Sequence, residues 1–261
     1  MEKKTSYQSL RRFNLIMGGL HLLQGGLMVY LFLTIDRFNA FRLPMQSNFL
    51  TFDTVAMRLV TDTKLVWSVP FALSVSVFLF LSAIAHFIIA APGTNEVYNR
   101  GLTNHINHFR WYEYALSSSV MIVLIAMLLG VYDIGALILL FALNASMNLF
   151  GLLMEKLNQN REKANWTPFW FGTFAGLVPW IVVFLYAFGN SDLSRVPWFV
   201  YAIFGSYFIF FNLFPINMVL QYKRVGKWQD YLYGERGYII LSLVAKSVLA
   251  WLAFAGAMQP N

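Results

Sequence analysis

Seven apolar stretches, each long enough to cross a lipid bilayer as a single helix, leave this chain few folds. They cover residues 13–34, 68–91, 101–131, 134–155, 166–188, 197–222 and 233–258. A bilayer core takes about 20 apolar residues of helix, and a chain inside it must satisfy every backbone polar group internally. The composition agrees: 58% of the 261 residues are hydrophobic and only 12% are charged. The expected fold is therefore all-α, a single seven-helix domain over residues 1–261, multi-pass in the cell membrane. The chain has no cysteine, which excludes disulfides, thiolate catalysis and cysteine metal sites.

The first twelve residues are polar and basic, like the start of a signal peptide. The span that follows is longer than such a segment, carries His21 and Gln24, and lacks a small-residue cleavage site, so it is read as a retained helix. Its glycine pairs, Gly18-Gly19 and Gly25-Gly26, suit close helix packing. Residues 35–67 form the longest polar segment. Their weak alternation (FLTFDTVAMRLV) predicts a short β-hairpin or an amphipathic piece on the membrane surface.

Lysine and arginine set the orientation. With the N-terminus in the cytoplasm, thirteen lie inside: Lys3, Lys4, Arg11, Arg12, Arg100, Arg110, Lys156, Arg161, Lys163, Lys223, Arg224, Lys227 and Arg236. Five lie outside: Arg37, Arg42, Arg58, Lys64 and Arg195. The net charge of +7 is then membrane topology rather than a nucleic-acid footprint, and the C-terminus is extracellular.

Lys246 sits near the middle of the seventh span. About 13 residues, or roughly 20 Å of helix, separate it from either end, too far for its side chain to snorkel. An ionisable residue at that depth costs at least a few kcal/mol and marks a functional candidate, a structural salt bridge being the other reading. A buried amine is also suited to forming a Schiff base with a carbonyl ligand. Glu113, read as the one acid deep in the membrane, lies about 12 residues into the third span, roughly 18 Å down. The two depths match, and each charge needs the other. Ser242 and Ser117, each four residues away, share a helix face with Lys246 and Glu113.

His21, Gln24 and His86 are placed on the cytoplasmic side of that level, and together they suggest a polar, hydrated pocket able to hold a proton. Arg110 and Glu155 are expected to pair and cap it; two independent interface charges are the alternative. Aromatic walls with a few polar groups, from Met121, Asn144, Trp170, Phe171, Phe211 and Phe214, suit a flat polyene, although each alone also suits core packing. The chain shows no H-E-x-x-H, P-loop or G-x-S-x-G pattern, and His105 and His108 have no acid or cysteine with which to hold a metal. The outer halves of the spans, such as ALSSSVMIVLIAMLLGVY after Glu113 and SVLAWLAFAGAM after Lys246, carry no acid, base or histidine. A path through internal waters and tyrosines such as Tyr30 is the alternative to a closed outer half.

Several strings resemble the heliorhodopsins, the inverted branch of the microbial rhodopsins. They are R-R-F-N-L-x-x-G at Arg11 to Gly18, R-W-Y-E-Y at Arg110 to Tyr114, F-G-x-x-A-G-x-x-P-W at Phe171 to Trp180, and S-L-V-A-K at Ser242 to Lys246. The resemblance covers essentially the whole chain. It implies all-trans retinal on Lys246, Glu113 as counterion of the protonated Schiff base, and His21, Gln24, His86 and Ser242 in an inner cavity. It further implies a homodimer and a slow photocycle used for light sensing, usually without ion transport. An unknown cytoplasmic signalling partner and no enzymatic activity are expected. The rival classes are a light-driven pump or channel on the same fold and a non-retinal transporter with a buried Lys–Glu pair.

The charge asymmetry predicts the outcome of tagging each end and adding an impermeant protease to intact cells. The C-terminal tag is cleaved and the N-terminal tag survives; the opposite pattern inverts the topology.

Overall fold

A computed structural model describes residues 6–189 and 197–257. Lys3, Lys4, Asp192 and Arg195 lie outside the described residues. Seven helices are long and apolar enough to span a membrane: α1 (Tyr7–Thr34), α3 (Phe71–Ala90), α5 (His108–Leu128), α6 (Ile134–Leu157), α7 (Thr167–Phe188), α8 (Trp198–Tyr222) and α9 (Tyr231–Ala257). Two short helices, α2 (Asp36–Ala40) and α4 (Thr94–Thr103), lie between them. The spans pack in sequence, α1 on α3, α3 on α5, α5 on α6 and α6 on α7, with α8 on α9, while α9 closes back onto α1 and α3. Lys246 therefore faces α3 and α5 from across the ring.

Local chemistry sets where these helices begin. Ser6 caps α1 by accepting from the Ser9 N–H at 3.2 Å, Asn107 caps α5 by accepting from Arg110 N–H at 3.0 Å, and Asp133 caps α6 by accepting from Ala136 N–H at 3.1 Å. Pro168 occupies the first turn of α7, where its missing N–H costs nothing.

The third span differs from its expected bounds of 101–131. It starts at His108, and the residues before it form the separate α4, whose inward side buries Tyr98 and Leu102. Between them the chain reverses tightly, with Ile106 N–H donating to Gly101 O at 2.9 Å and His105 at φ 55°. A side chain at position 101 would put its Cβ 2.8 Å from Ile106 O, so glycine is needed there. Hydropathy alone merges α4 and α5, because α4 is amphipathic rather than polar.

The segment after α1 is indeed a β-hairpin, longer than the alternation suggested: β1 (Arg42–Asp53) pairs antiparallel with β2 (Arg58–Pro70). Asp53 accepts from the Val55 and Ala56 N–H groups and closes the turn. The hairpin docks on the α5–α6 turn: Gln46 N–H donates to Tyr132 O at 2.8 Å, and Asn48 Nδ2 to Asp133 Oδ2 at 3.1 Å. The Ala136 N–H first, and Asn48 after it, hold the Asp133 carboxyl below the usual carboxylate range.

The largest apolar cluster fills the half of the bundle nearest the hairpin. It joins Met28 and Phe32 of α1, Phe71 to Leu79 of α3, Ile122 to Met127 of α5, and Leu249 to Phe254 of α9. Between α1 and α3, Gly18 and Gly25 let the helices approach at Phe87 and Phe80 of α3, while Gly19 and Gly26 face open space. The closest approach is at Gly151 of α6, which lies under the Trp111 indole, where a Cβ would come within 2.2 Å of the ring. Gly151→Ala is expected to lose about 1–3 kcal/mol by overpacking, seen as a lowered thermal unfolding midpoint. An unchanged midpoint would show that the indole gives way freely.

Candidate functional site: a buried lysine–glutamate pair between a wet and a dry half

Lys246 Nζ donates to Glu113 Oε1 at 2.6 Å and to Ser242 Oγ at 2.9 Å, and the amine also lies over the Tyr114 ring at 5.2 Å. Both charged side chains are at most 9% exposed. The expected partners meet, but not by equal depth along their helices. Glu113 lies only five residues after His108, whereas Lys246 lies fifteen after Tyr231. The helix α5 begins deep in the bundle: the side chain of its cap, Asn107, bonds Glu235 at 2.8 Å, and Tyr114 Oη donates to Tyr238 O at 3.0 Å. A lysine side chain on a helix leans toward the N-terminus, which brings the amine back to Glu113.

Ser117, on the face of Glu113, is fully buried beside the pair, but among the described residues its hydroxyl has no partner in good hydrogen-bond geometry. The hydroxyl that bonds Glu113 belongs to Ser82 of α3, which donates to Oε1 at 2.6 Å. Ser82 lies four residues before His86 on the same helix face, a signal the sequence carried. His86 Nδ1 bonds Asn14 Oδ1 at 2.7 Å and stacks on His21, with ring centroids 5.6 Å apart. Among the described residues, neither ring nitrogen of His21 has a hydrogen-bond partner. Gln24 departs from expectation: its Oε1 accepts from Trp251 Nε1 at 3.2 Å, beyond Lys246 toward the hairpin side. One turn of α1 carries it past the level of the lysine–glutamate pair.

Arg110 and Glu155 do pair in the buried interior, and the pair is larger than expected. Arg110 donates through Nη2 to Glu155 and through Nη1 to Glu235, and all three side chains are at most 4% exposed. Glu113 is thus not the lone buried acid. Glu235 escapes a hydropathy reading because it lies in the polar first turns of the seventh helix. The helix starts at Tyr231, and Tyr231, Glu235, Tyr238, Ser242 and Lys246 recur every three or four residues on one face. That polar stripe was readable.

Two cavities meet the pair. One, of about 210 Å³, is mainly apolar and runs from Lys246 between α5, α6, α7 and α8. Met121, Phe211 and Phe214 line it as expected, with Ser117, Ser242, Trp180 and Tyr207. Trp170 and Phe171 do not: they are 64% and 56% exposed on the outer face of α7. The helical period turns Phe169, Gly172, Thr173, Gly176 and Trp180 inward instead. Asn144 stands one layer behind the wall, donating to Ser118 and Ser119 at 2.8 and 3.0 Å, while Asn148 reaches the cavity itself. The second cavity, about 30 Å³, has room for a water molecule or two. Asn14, His86, Asn107, Arg110, Glu113, Glu235 and Tyr238 line it.

The heliorhodopsin family model matches residues 10–258. The chain belongs to the heliorhodopsin family. No curated protein matches it. A heliorhodopsin is a retinal-binding, light-sensing membrane protein, and the family is generally non-enzymatic. The long cavity fits such a chromophore, being an apolar slot with aromatic walls that ends on a buried primary amine.

Ser82→Ala removes a hydrogen bond to a buried carboxylate and is expected to cost about 1.5–3 kcal/mol of stability. Ser82→Thr, which keeps the hydroxyl, should restore most of it. Equal thermal midpoints for both variants and the parent would show that Ser82 does not support Glu113.

Proposed function

We propose that this heliorhodopsin is a photoreceptor in which Lys246 holds all-trans retinal as a protonated Schiff base, with Glu113 as counterion, and that no ion is carried across the membrane. The observation that carries this reading is the buried Lys246–Glu113 contact, placed where an apolar aromatic slot meets a polar cavity. When bound, retinal supplies light absorption and isomerisation. The other steps belong to the chain's own residues. Glu113 compensates positive charge on the lysine nitrogen, and Ser82 and Ser242 orient the two groups. Met121, Trp180, Phe211 and Phe214 hold a flat polyene and keep water from it.

A proton leaving the lysine nitrogen has acceptors on one side only. His86, bonded to Asn14, and His21, stacked behind it, lie on the N-terminal side. Beyond Lys246 the apolar cluster from Met28 and Phe38 to Phe254 offers none. Among the described residues, no acid, base or histidine is buried there. Tyr30 is 61% exposed on the outer face of α1, which argues against a path through it. Moving an ion through that half meets the bare desolvation cost. We infer a slow photocycle that acts as a conformational signal to an unidentified cytoplasmic partner, and, from the family resemblance, a homodimer.

Expression with retinal tests the attachment. The parent should form a visible band and Lys246→Ala should not; a parent-like covalent pigment in Lys246→Ala would remove Lys246 from its role. Transport is tested by illuminating cells in unbuffered medium. No protonophore-sensitive pH change and no steady photocurrent are expected, and either one would make the protein a pump or a channel.

A further inference from the structure

The second cavity touches Glu113 on one side and the Arg110–Glu155–Glu235 cluster on the other. Two carboxylates there face one guanidinium. Among the described residues, Arg110 is the only cation within ion-pair distance of either acid. Fully ionised, the cluster carries a net negative charge buried away from bulk solvent, at an effective cost of several kcal/mol. The remaining groups facing it do not cancel that charge. They are Asn107 and Trp111 of α5, Tyr98 of α4, Tyr222 of α8, and Tyr231 and Tyr238 of α9. The nearest buried lysine, Lys246, is engaged by Glu113.

The donors are divided unequally. Glu155 accepts from Asn107 N–H, Trp111 Nε1, Arg110 and Tyr231 Oη. Among the described residues, Glu235 accepts only from Arg110 and Asn107 Nδ2. Asn107 cannot turn its amide to serve otherwise, because its Oδ1 is held by the Arg110 N–H. Arg110 lines the small cavity, and among the described residues its Nε is buried without a hydrogen-bond partner. That unused donor leaves a place for a water bridging the guanidinium and the carboxyl groups.

We propose that the cluster is a proton-binding site: in the resting protein one proton is held between Glu155 and Glu235, giving a second proton store beside the counterion. The site opens toward the N-terminal surface through Tyr231, which donates to Glu155 at 3.2 Å and stacks under the exposed His105, ring centroids 4.8 Å apart. The proton neutralises the excess carboxylate, so removing either acid should leave one carboxylate for one guanidinium and nothing to protonate.

Infrared absorption of the full-length protein in lipid nanodiscs at neutral pH tests this. One protonated carboxylic acid per chain is expected, its carbonyl stretch shifting on ¹³C labelling of glutamate. The band should persist without retinal, so its fate does not depend on the chromophore reading, and it should persist in Glu113→Gln. It should vanish in Glu155→Gln and in Glu235→Gln, where glutamine imitates the protonated acid and keeps the packing. Absence of the band from labelled wild type, its loss in Glu113→Gln, or its survival in Glu155→Gln or Glu235→Gln would overturn the proposal. The wild-type and Glu113→Gln arms decide the matter even if a cluster variant does not fold, because the remaining glutamates among the described residues, Glu96 and Glu162, are at the surface.

Discussion

A lysine in the middle of a membrane helix is tolerable only if something opposite holds its charge, and the bundle is arranged around meeting that demand. Glu113 supplies the charge, Ser82 and Ser242 supply hydrogen bonds, and three helices must converge for the four groups to meet. Desolvating two ions costs several kcal/mol each, and their attraction repays this only with good geometry. The convergence explains why α5 starts deep. Its cap, Asn107, is anchored by Glu155 and Glu235, and α4 folds beneath it to fill the space. The buried arginine cluster is in this sense the floor on which the lysine–glutamate pair stands.

The bundle is divided across the level of Lys246. On the N-terminal side, histidines, asparagines, tyrosines and a small cavity form a connected polar region. On the hairpin side, leucines, phenylalanines and methionines pack without buried charge among the described residues. The hairpin and α2 add to the closed end: Phe38 packs on Phe254 and Phe41 on Phe71. The low dielectric of the closed end strengthens every electrostatic interaction at the boundary. A charge that moves there has reason to stay on the polar side, which suits a switch better than a conduit.

Much of this was legible in the residues. Hydropathy found seven spans because a bilayer demands some 20 apolar residues in a row. Lys246 and Glu113 stood out because charge is so rare in such runs, and Arg110 with Glu155 for the same reason. Where the reading failed, the failures share a cause. Trp170 and Phe171 were chosen by their level in the membrane, but a helix turns neighbours to different faces, and the inward stripe of α7 runs through Phe169, Gly172 and Trp180. Counting residues along α1 puts Gln24 on the cytoplasmic side of the pair with His21, but its side chain lies beside Trp251. Hydropathy does not mark Glu235, because the first turn of α9 from Tyr231 is polar although it is buried in the bundle.

By itself the sequence determined the class of protein, the number of spans, Lys246 as a candidate functional residue and the family to which the chain belongs, because each depends on residue type and order alone. Only the tertiary structure decided which hydroxyl reaches Glu113, that Arg110 is shared by two acids, and which faces of α6 and α7 line the long cavity. These depend on helix rotation and on where each helix begins relative to its neighbours. A turn of four residues, closed on Gly101, sets both for α5, and hydropathy averaged over a span does not register it.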